Sequence, residues 1–274
     1  MREAAYARAG TVDAALDLVR RHPGAMFVAG GTCVVDLMRE GVFAPEVLID
    51  ISPLPLRGIR FEAGHAEVGA LVPNSDLAWH PQFREEFPAV SEALLAGASG
   101  QIRNMASVGG NLLQRTRCPY YRDLNAACNK RNPGTGCAAL EGYNRSHAIL
   151  GGSESCIATH PSDFNVALRA MDATVLTAGP AGRREIALGD FHRLPGQTPE
   201  IETSLGPGEL ILGIRVPRSA AARHSHYLKV RDRASYEFAL ASAAVAFDRS
   251  SGVCRDVRIA LGGVATVPWR ARRA

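Results

Sequence analysis

Met26-Phe27-Val28-Ala29-Gly30-Gly31-Thr32-Cys33-Val34-Val35 passes from a short apolar run, through a glycine pair, into a helical pattern. That pattern continues to Arg39 and is closed by Gly41. A strand that enters a helix through two glycines leaves backbone N–H groups free, with no side chain to block an approaching phosphate. Upstream, Ala14, Ala15, Leu18 and Val19 form a helical stripe over Thr11–Arg21, with Thr11 as N-cap and Pro23-Gly24 as the stop. Downstream, Val47-Leu48-Ile49-Asp50-Ile51 reads as a second strand. Residues 1–52 are thus expected to form a small α/β unit.

A second glycine pair lies in Ser107-Val108-Gly109-Gly110-Asn111. It reads as a second loop of the same kind, so that a pyrophosphate would be held from both sides. An ordinary tight turn is the other reading of either loop taken alone. Neither is the GxGxxG of a dinucleotide-binding Rossmann unit, which disfavours NAD binding of that type. Between and beyond these loops the pattern predicts a hairpin over 58–71, helices over 75–80, 88–95 and 162–171, a hairpin over 174–188, and a strand over 209–216. Strands follow over 224–232, 238–248 and 253–260. The change near Pro217-Arg218-Ser219 divides the chain into 1–218 and 219–274.

With 274 residues, 46% hydrophobic and 21% charged, the composition is globular. The longest apolar runs fall far short of the ~20 residues of a membrane span, and the first residues lack the apolar core of a secretory signal. The 31 basic residues include only two lysines, Lys130 and Lys229. Four of the six cysteines, Cys118, Cys128, Cys137 and Cys156, fall in one segment, 115–156, that has no sustained period. Between Leu112 and His147 stand six basic residues against two acidic ones, which accounts for the whole net charge of +4. So local an excess argues against a general nucleic-acid binder and for something negative inside the segment. The spacing contains no CxxC of a zinc ribbon and matches no common ferredoxin pattern. Three readings stand: ligands of an anionic iron–sulfur cluster with Arg and Lys as counter-charge, buried free thiols, or a structural zinc. Cys33 and Cys254 read as core residues, and His224 and His226 as a solvated strand edge rather than a metal pair.

Phe27–Thr32, Ser107–Gln114 and Thr159-His160-Pro161-Ser162-Asp163 together resemble the FAD-binding subunit of molybdenum hydroxylases, the xanthine and carbon monoxide dehydrogenase family. The resemblance runs from about residue 3 to the end. Arg117-Cys118-Pro119-Tyr120-Tyr121, Cys128–Gly134, Gly136-Cys137-Ala138-Ala139, His147–Gly151 and Cys156–Asp163 resemble more closely the flavin subunits of periplasmic-type aldehyde oxidoreductases. That branch carries an extra [4Fe–4S] cluster, as does the related 4-hydroxybenzoyl-CoA reductase.

The resemblance implies an α+β fold. A PCMH-type FAD-binding domain of two α/β subdomains would occupy 1–218, with the iron–sulfur insertion at 115–156, and a flavoprotein C-terminal domain would occupy 219–274. It implies FAD on Phe27, Val28, Ala29, Gly30, Gly31, Thr32, Cys33, Val34 and Val35, on Ser107, Gly109, Gly110 and Asn111, and on Asp163, Ile211 and Lys229. It implies the cluster on Cys118, Cys128, Cys137 and Cys156. No general base or nucleophile is read, because the cofactors carry the redox chemistry. The implied partners are a molybdopterin-binding large subunit and a small subunit with two [2Fe–2S] clusters, in a heterotrimer serving an external electron acceptor. Location would be cytoplasmic, or periplasmic by co-export with a signal-bearing partner. A stand-alone PCMH-type flavin oxidase and a non-enzymatic four-cysteine zinc protein are the rival readings. Family members usually continue several dozen residues past Val267-Pro268-Trp269-Arg270, so the C-terminal domain is expected to be incomplete.

Overall fold

The computed structural model describes residues 1–273. The first unit comprises β1 (Ala5–Arg8), α1 (Val12–Arg21), β2 (Met26–Val28), α2 (Val34–Arg39) and β3 (Val47–Asp50). Its parallel sheet has the order β1-β3-β2, the right arrangement for two strand–helix–strand crossovers. Thr11 caps α1 as expected, its hydroxyl accepting from the Ala14 N–H at 3.1 Å. The edge strand β1 carries too few apolar side chains to announce itself in the sequence; register with Val47–Asp50 defines it.

The second unit contains β4 (Ile59–Phe61), β5 (His65–Gly69), α3 (Asn74–Trp79), α4 (Pro81–Glu86), α5 (Pro88–Ala96), α6 (Gly100–Met105) and α7 (Val108–Leu112). It continues through α8 (Pro119–Arg122), α9 (Asp163–Ala170), β6 (Thr174–Gly179), β7 (Gly182–Ala187), α10 (Leu188–Phe191) and β8 (Leu210–Pro217). The five strands form an antiparallel sheet, β4-β5-β8-β6-β7. The third unit is α11 (Ala220–Arg223), β9 (Ser225–Val230), β10 (Ala241–Ser250), β11 (Val253–Gly262) and β12 (Trp269–Arg270), an antiparallel sheet in the order β12-β11-β10-β9.

Helices α5 and α9 join the second and third units. Phe83, Phe87, Val90, Phe164, Leu168 and Ile214 form one continuous buried core with Tyr227, Ala244 and Ala260 of the last sheet. The facing strands carry alanine and glycine because α9 lies close: a Cβ at Gly262 would stand 2.5 Å from Val166. Each fully buried Leu or Phe here contributes roughly 1.5–3 kcal/mol.

Several expectations need correcting. Cys254 is exposed on β11, not in the core. His224 ends α11 while His226 lies in β9, its Nδ1 2.9 Å from Glu92 Oε2, so the two do not share a strand face. The strand expected from Phe238 begins at Ala241. No helix among the described residues is long and apolar enough to cross a membrane.

Glu209, at the entrance to β8, holds the sheet to the segment before it. Its carboxylate accepts from Arg184 Nε and Nη2, both at 2.7 Å, from the Gly206 N–H at 2.8 Å, and from the Thr177 hydroxyl. These donors, Arg184 foremost, depress its pKa from 4.5 to about 2. A depressed carboxylate stabilises the fold above its unfolded pKa and loses that contribution as pH falls through the folded one. Glu209→Gln is therefore expected to lower stability by about 2 kcal/mol at neutral pH. The gap to wild type should close between about pH 4.5 and 2. Thermal unfolding across that range is the check; an equal gap at pH 3 and pH 7 would contradict the assignment.

Candidate functional site: a glycine-lined cleft beside four cysteines

The two glycine loops meet at the junction of the first two units. Gly30 lies against the end of α6, where a Cβ would stand only 1.7 Å from the Met105 carbonyl oxygen. Gly31 has φ +72°, a conformation that favours glycine. The loop between β2 and α2 leaves the N–H groups of Gly30, Gly31, Thr32 and Cys33 without a hydrogen-bond partner among the described residues. Four consecutive free donors are what an anionic group needs from a backbone.

The second loop behaves differently. Val108 N–H donates to Val72 O at 3.0 Å, Gly109 N–H to Ala70 O at 2.8 Å, Gly110 N–H to Ser107 Oγ at 3.2 Å, and Asn111 N–H to Ser107 O at 2.8 Å. Its donors are consumed. The expectation of two equivalent phosphate loops is corrected on this point: the first loop offers donors, while the second offers a wall without side chains.

Between the loops lies a cleft of about 460 Å³. Phe27, Leu71, Leu210 and Ile211 supply apolar surface, and Lys130, Arg115, Glu200 and Glu202 a polar flank. Lys130 Nζ is 2.8 Å from Glu202 Oε1 and donates to Pro199 O at 2.9 Å. Arg115 pairs with the same carboxylate and its guanidinium lies over the Phe43 and Tyr121 rings, 5.3 and 5.1 Å from their centroids.

The cysteine segment forms the neighbouring wall, and Cys156 and Lys130 line the cleft itself. Cys128 and Cys137 face each other in an antiparallel bridge. Cys118 and Cys156 lie near enough to Cys128 for it to disfavour their ionisation. Burial raises the Cys118 thiol to about 11 and also raises Cys156, against which Lys130 acts as counter-charge. Cys118 Sγ lies 3.2 Å from His147 Nε2, and Cys156 Sγ accepts from the Ala158 N–H at 3.5 Å. Among the described residues no set of three or more His, Cys, Asp or Glu side chains is gathered tightly enough to hold one metal ion. The four cysteines thus lack the tetrahedral set of a single zinc site, whose Zn–S bonds are only ~2.3 Å. The segment is tied to the first loop through α2: Arg122 Nη2 lies 2.9 Å from Asp36 Oδ2, and Arg117 Nη1 3.2 Å from the same oxygen.

Residues 2–219 match the family described as the FAD binding domain in molybdopterin dehydrogenase, and residues 226–274 match the CO dehydrogenase flavoprotein C-terminal domain. The chain belongs to the FAD-binding subunits of the molybdenum hydroxylase family. It is 53% identical over 277 residues to the aldehyde oxidoreductase FAD-binding subunit PaoB of Escherichia coli (strain K12), covering 100% of this chain and 85% of that one. It is 25% identical to the glyceraldehyde dehydrogenase medium chain of Sulfolobus acidocaldarius, covering 98% and 78%. Among solved structures, the carbon monoxide dehydrogenase of Hydrogenophaga pseudoflava that lacks the Mo-pyranopterin moiety superposes with a TM-score of 0.74 at 26% identity. That match covers 99% of this chain and 78% of the other. These relatives are oxidoreductases, and so is the class of this FAD-binding subunit.

Most residues expected at the flavin site of this family do line the cleft: Phe27, Ala29–Val34, Ser107, Gly109, Gly110 and Ile211. Val28 and Val35 do not; Val28 lies in β2 and Val35 is exposed. Asn111 is turned inward, its Oδ1 accepting from Ser162 Oγ at 2.7 Å. Asp163 and Lys229 are set apart from the cleft and pair with each other, Oδ2 to Nζ at 2.7 Å, with both side chains under 10% exposed. The Tyr227 hydroxyl donates to the other Asp163 oxygen at 2.5 Å, and burial together with that carboxylate pushes its pKa up. Arg115, Glu200, Glu202 and His192 line the cleft without having been singled out in the sequence. Only Lys130 carried a signal, as one of two lysines.

Gly31→Val should lower FAD content sharply, since a β-branched residue cannot easily adopt φ +72° and would crowd Val35. Flavin absorbance per chain in the purified protein measures this; normal loading would remove the first loop from the site.

Proposed function

We propose that the chain is the electron-transfer subunit of a molybdenum-dependent oxidoreductase acting on an aldehyde or related substrate, with FAD in the cleft and a [4Fe–4S] cluster on Cys118, Cys128, Cys137 and Cys156. The observation that carries this reading is the shared wall: Cys156 and Lys130, one a thiol and one its counter-charge, line the same cleft as the glycine loops. The 53% identity to an aldehyde oxidoreductase subunit supports the substrate class.

The donor types present, free backbone N–H groups and four cysteine thiols, suit the chemistry of both groups. FAD, when bound, exchanges electrons singly or in pairs. The N–H groups of Gly30–Cys33 would hold the pyrophosphate, Gly109 and Gly110 would leave it room, and Leu71, Leu210 and Ile211 would supply apolar contact to the ring system. An all-cysteine site for a [4Fe–4S] cluster needs four thiolates and tolerates wider sulfur separations than one zinc ion. The four cysteines are unpaired, and the segment around them carries its excess of Arg and Lys. The Ala158 N–H aimed at Cys156 and the imidazole beside Cys118 would moderate the charge on sulfur.

In this reading a small subunit with two [2Fe–2S] clusters delivers electrons, a molybdopterin-binding large subunit generates them, and an external acceptor removes them. The assembly stands in the cytoplasm, or in the periplasm after co-export with a partner that bears the signal.

Purification with the partner subunits, followed by flavin, iron and molybdenum analysis, tests the assignment. Cys128→Ser should remove about four iron atoms per chain, the content of one [4Fe–4S] cluster, while leaving some FAD. Unchanged iron would overturn the ligand set; zinc without iron or flavin would overturn the whole reading.

A further inference from the structure

One part of the cleft wall belongs to neither glycine loop. Residues 192–203 leave α10 as a loop closed by an antiparallel bridge between His192 and Thr203. The cysteine segment grips this loop from outside: Lys130 Nζ donates to Pro199 O, and Ser153 Oγ donates to Gly196 O at 2.7 Å. From inside, His192, Glu200 and Glu202 line the cleft.

The two carboxylates differ in what they have left to bind. Glu202 is spent on Lys130 and Arg115. Glu200 Oε2 is buried and has no hydrogen-bond partner among the described residues. His192 presents a second open acceptor. Its Nε2 lies 3.0 Å from the Leu112 carbonyl oxygen and 3.3 Å from Asn165 Nδ2; the closer partner can only accept, which puts the proton on Nε2. Burial pushes its pKa down to about 4, so the ring is neutral at physiological pH. Nδ1 is then an unprotonated acceptor, buried and without a partner. Asn165 supports this face by donating to His160 Nε2 at 2.9 Å, leaving His160 beside His192 with ring centroids 4.5 Å apart.

A buried acceptor without a donor costs folding free energy unless a ligand supplies one. The first loop offers donors for an anion, and this wall offers acceptors. FAD carries both complements: an anionic pyrophosphate, and hydroxyl and ring N–H donors.

We propose that Glu200 and His192 are FAD-binding residues that accept hydrogen bonds from O–H or N–H groups of the cofactor, making the 192–203 loop a third wall of the site. This rests on the cleft being the FAD site. The test is titration of FAD-stripped full-length protein with FAD, followed by fluorescence quenching, together with thermal unfolding of the stripped protein. Glu200→Ala should weaken FAD binding about 10-fold, the loss of one good hydrogen bond to a charged group. Glu200→Gln, which keeps an acceptor oxygen, should recover part of it. Neither should lower the unfolding temperature of the stripped protein, because the carboxylate oxygen has no partner to lose. His192→Phe removes the second acceptor while keeping a ring. Wild-type FAD affinity in Glu200→Ala would overturn the role of Glu200, as would a stripped protein that unfolds earlier with the FAD-induced shift unchanged. Failure of the wild-type protein itself to bind FAD would overturn the cleft assignment as well.

Discussion

The close approach of Gly30 to the end of α6 is the contact on which the site depends. Any side chain at position 30 would collide with the Met105 carbonyl and push the first α/β unit away from the second. With glycine there, the two units close to backbone contact. The β2–α2 loop then lines a cleft instead of an open surface, and the four residues with free N–H groups, Gly30 to Cys33, all belong to that lining. The same donors in open water would be satisfied by solvent and would bind an anion weakly.

The cysteine segment is the second structural commitment. It has little regular structure of its own, α8 apart, and is held by charge instead of by a hydrogen-bonded ladder. Arg117 and Arg122 clasp Asp36 on α2, Lys130 clasps Glu202, and Arg131 donates to the carbonyls of Tyr120 and Tyr121 at 2.8 and 2.7 Å. A small apolar cluster of Leu37, Tyr121 and Cys128 backs these contacts. The local excess of positive charge is therefore partly structural: some of it fastens the segment to α2, behind the first glycine loop, and to the 192–203 loop. Only the remainder is free to offset charge on the cysteine sulfurs. Lys130 serves on both sides, since it holds Glu202 and also offsets part of the burial that raises the Cys156 thiol.

The glycine loops and the cysteine segment were legible in the sequence because each is a local pattern: a strand–Gly-Gly–helix transition, or four cysteines in one irregular stretch with its own charge excess. The inequality of the two glycine loops was not legible. Both read alike as a run of small residues, and it takes the carbonyls of Ala70 and Val72, brought in from after β5, together with Ser107 of the loop itself, to leave the second loop no donors to give. Asp163 and Lys229 show the same limit. Each sits in a stretch that resembles a family motif, yet the 2.7 Å pair between them arises from α9 packing on β9, 66 residues apart. His224 and His226 misled in the other direction, since alternate positions suggest one strand face, whereas His224 caps the end of α11 and β9 begins only at Ser225.

By itself the sequence determined the α+β class, the first unit from α1 to β3, three of the four strands of the last sheet and the family, because periodicity, caps and motif residues act over short separations along the chain. Tertiary structure alone decided which polar groups face the cleft. Glu200 and Glu202 are neighbours in one loop with similar surroundings in sequence. One is consumed by Lys130 and Arg115, which lie 72 and 87 residues away in the chain, and the other is left open. A hydrogen bond or ion pair is set by distances of about 3 Å, and nothing in a linear pattern fixes distances between segments so far apart.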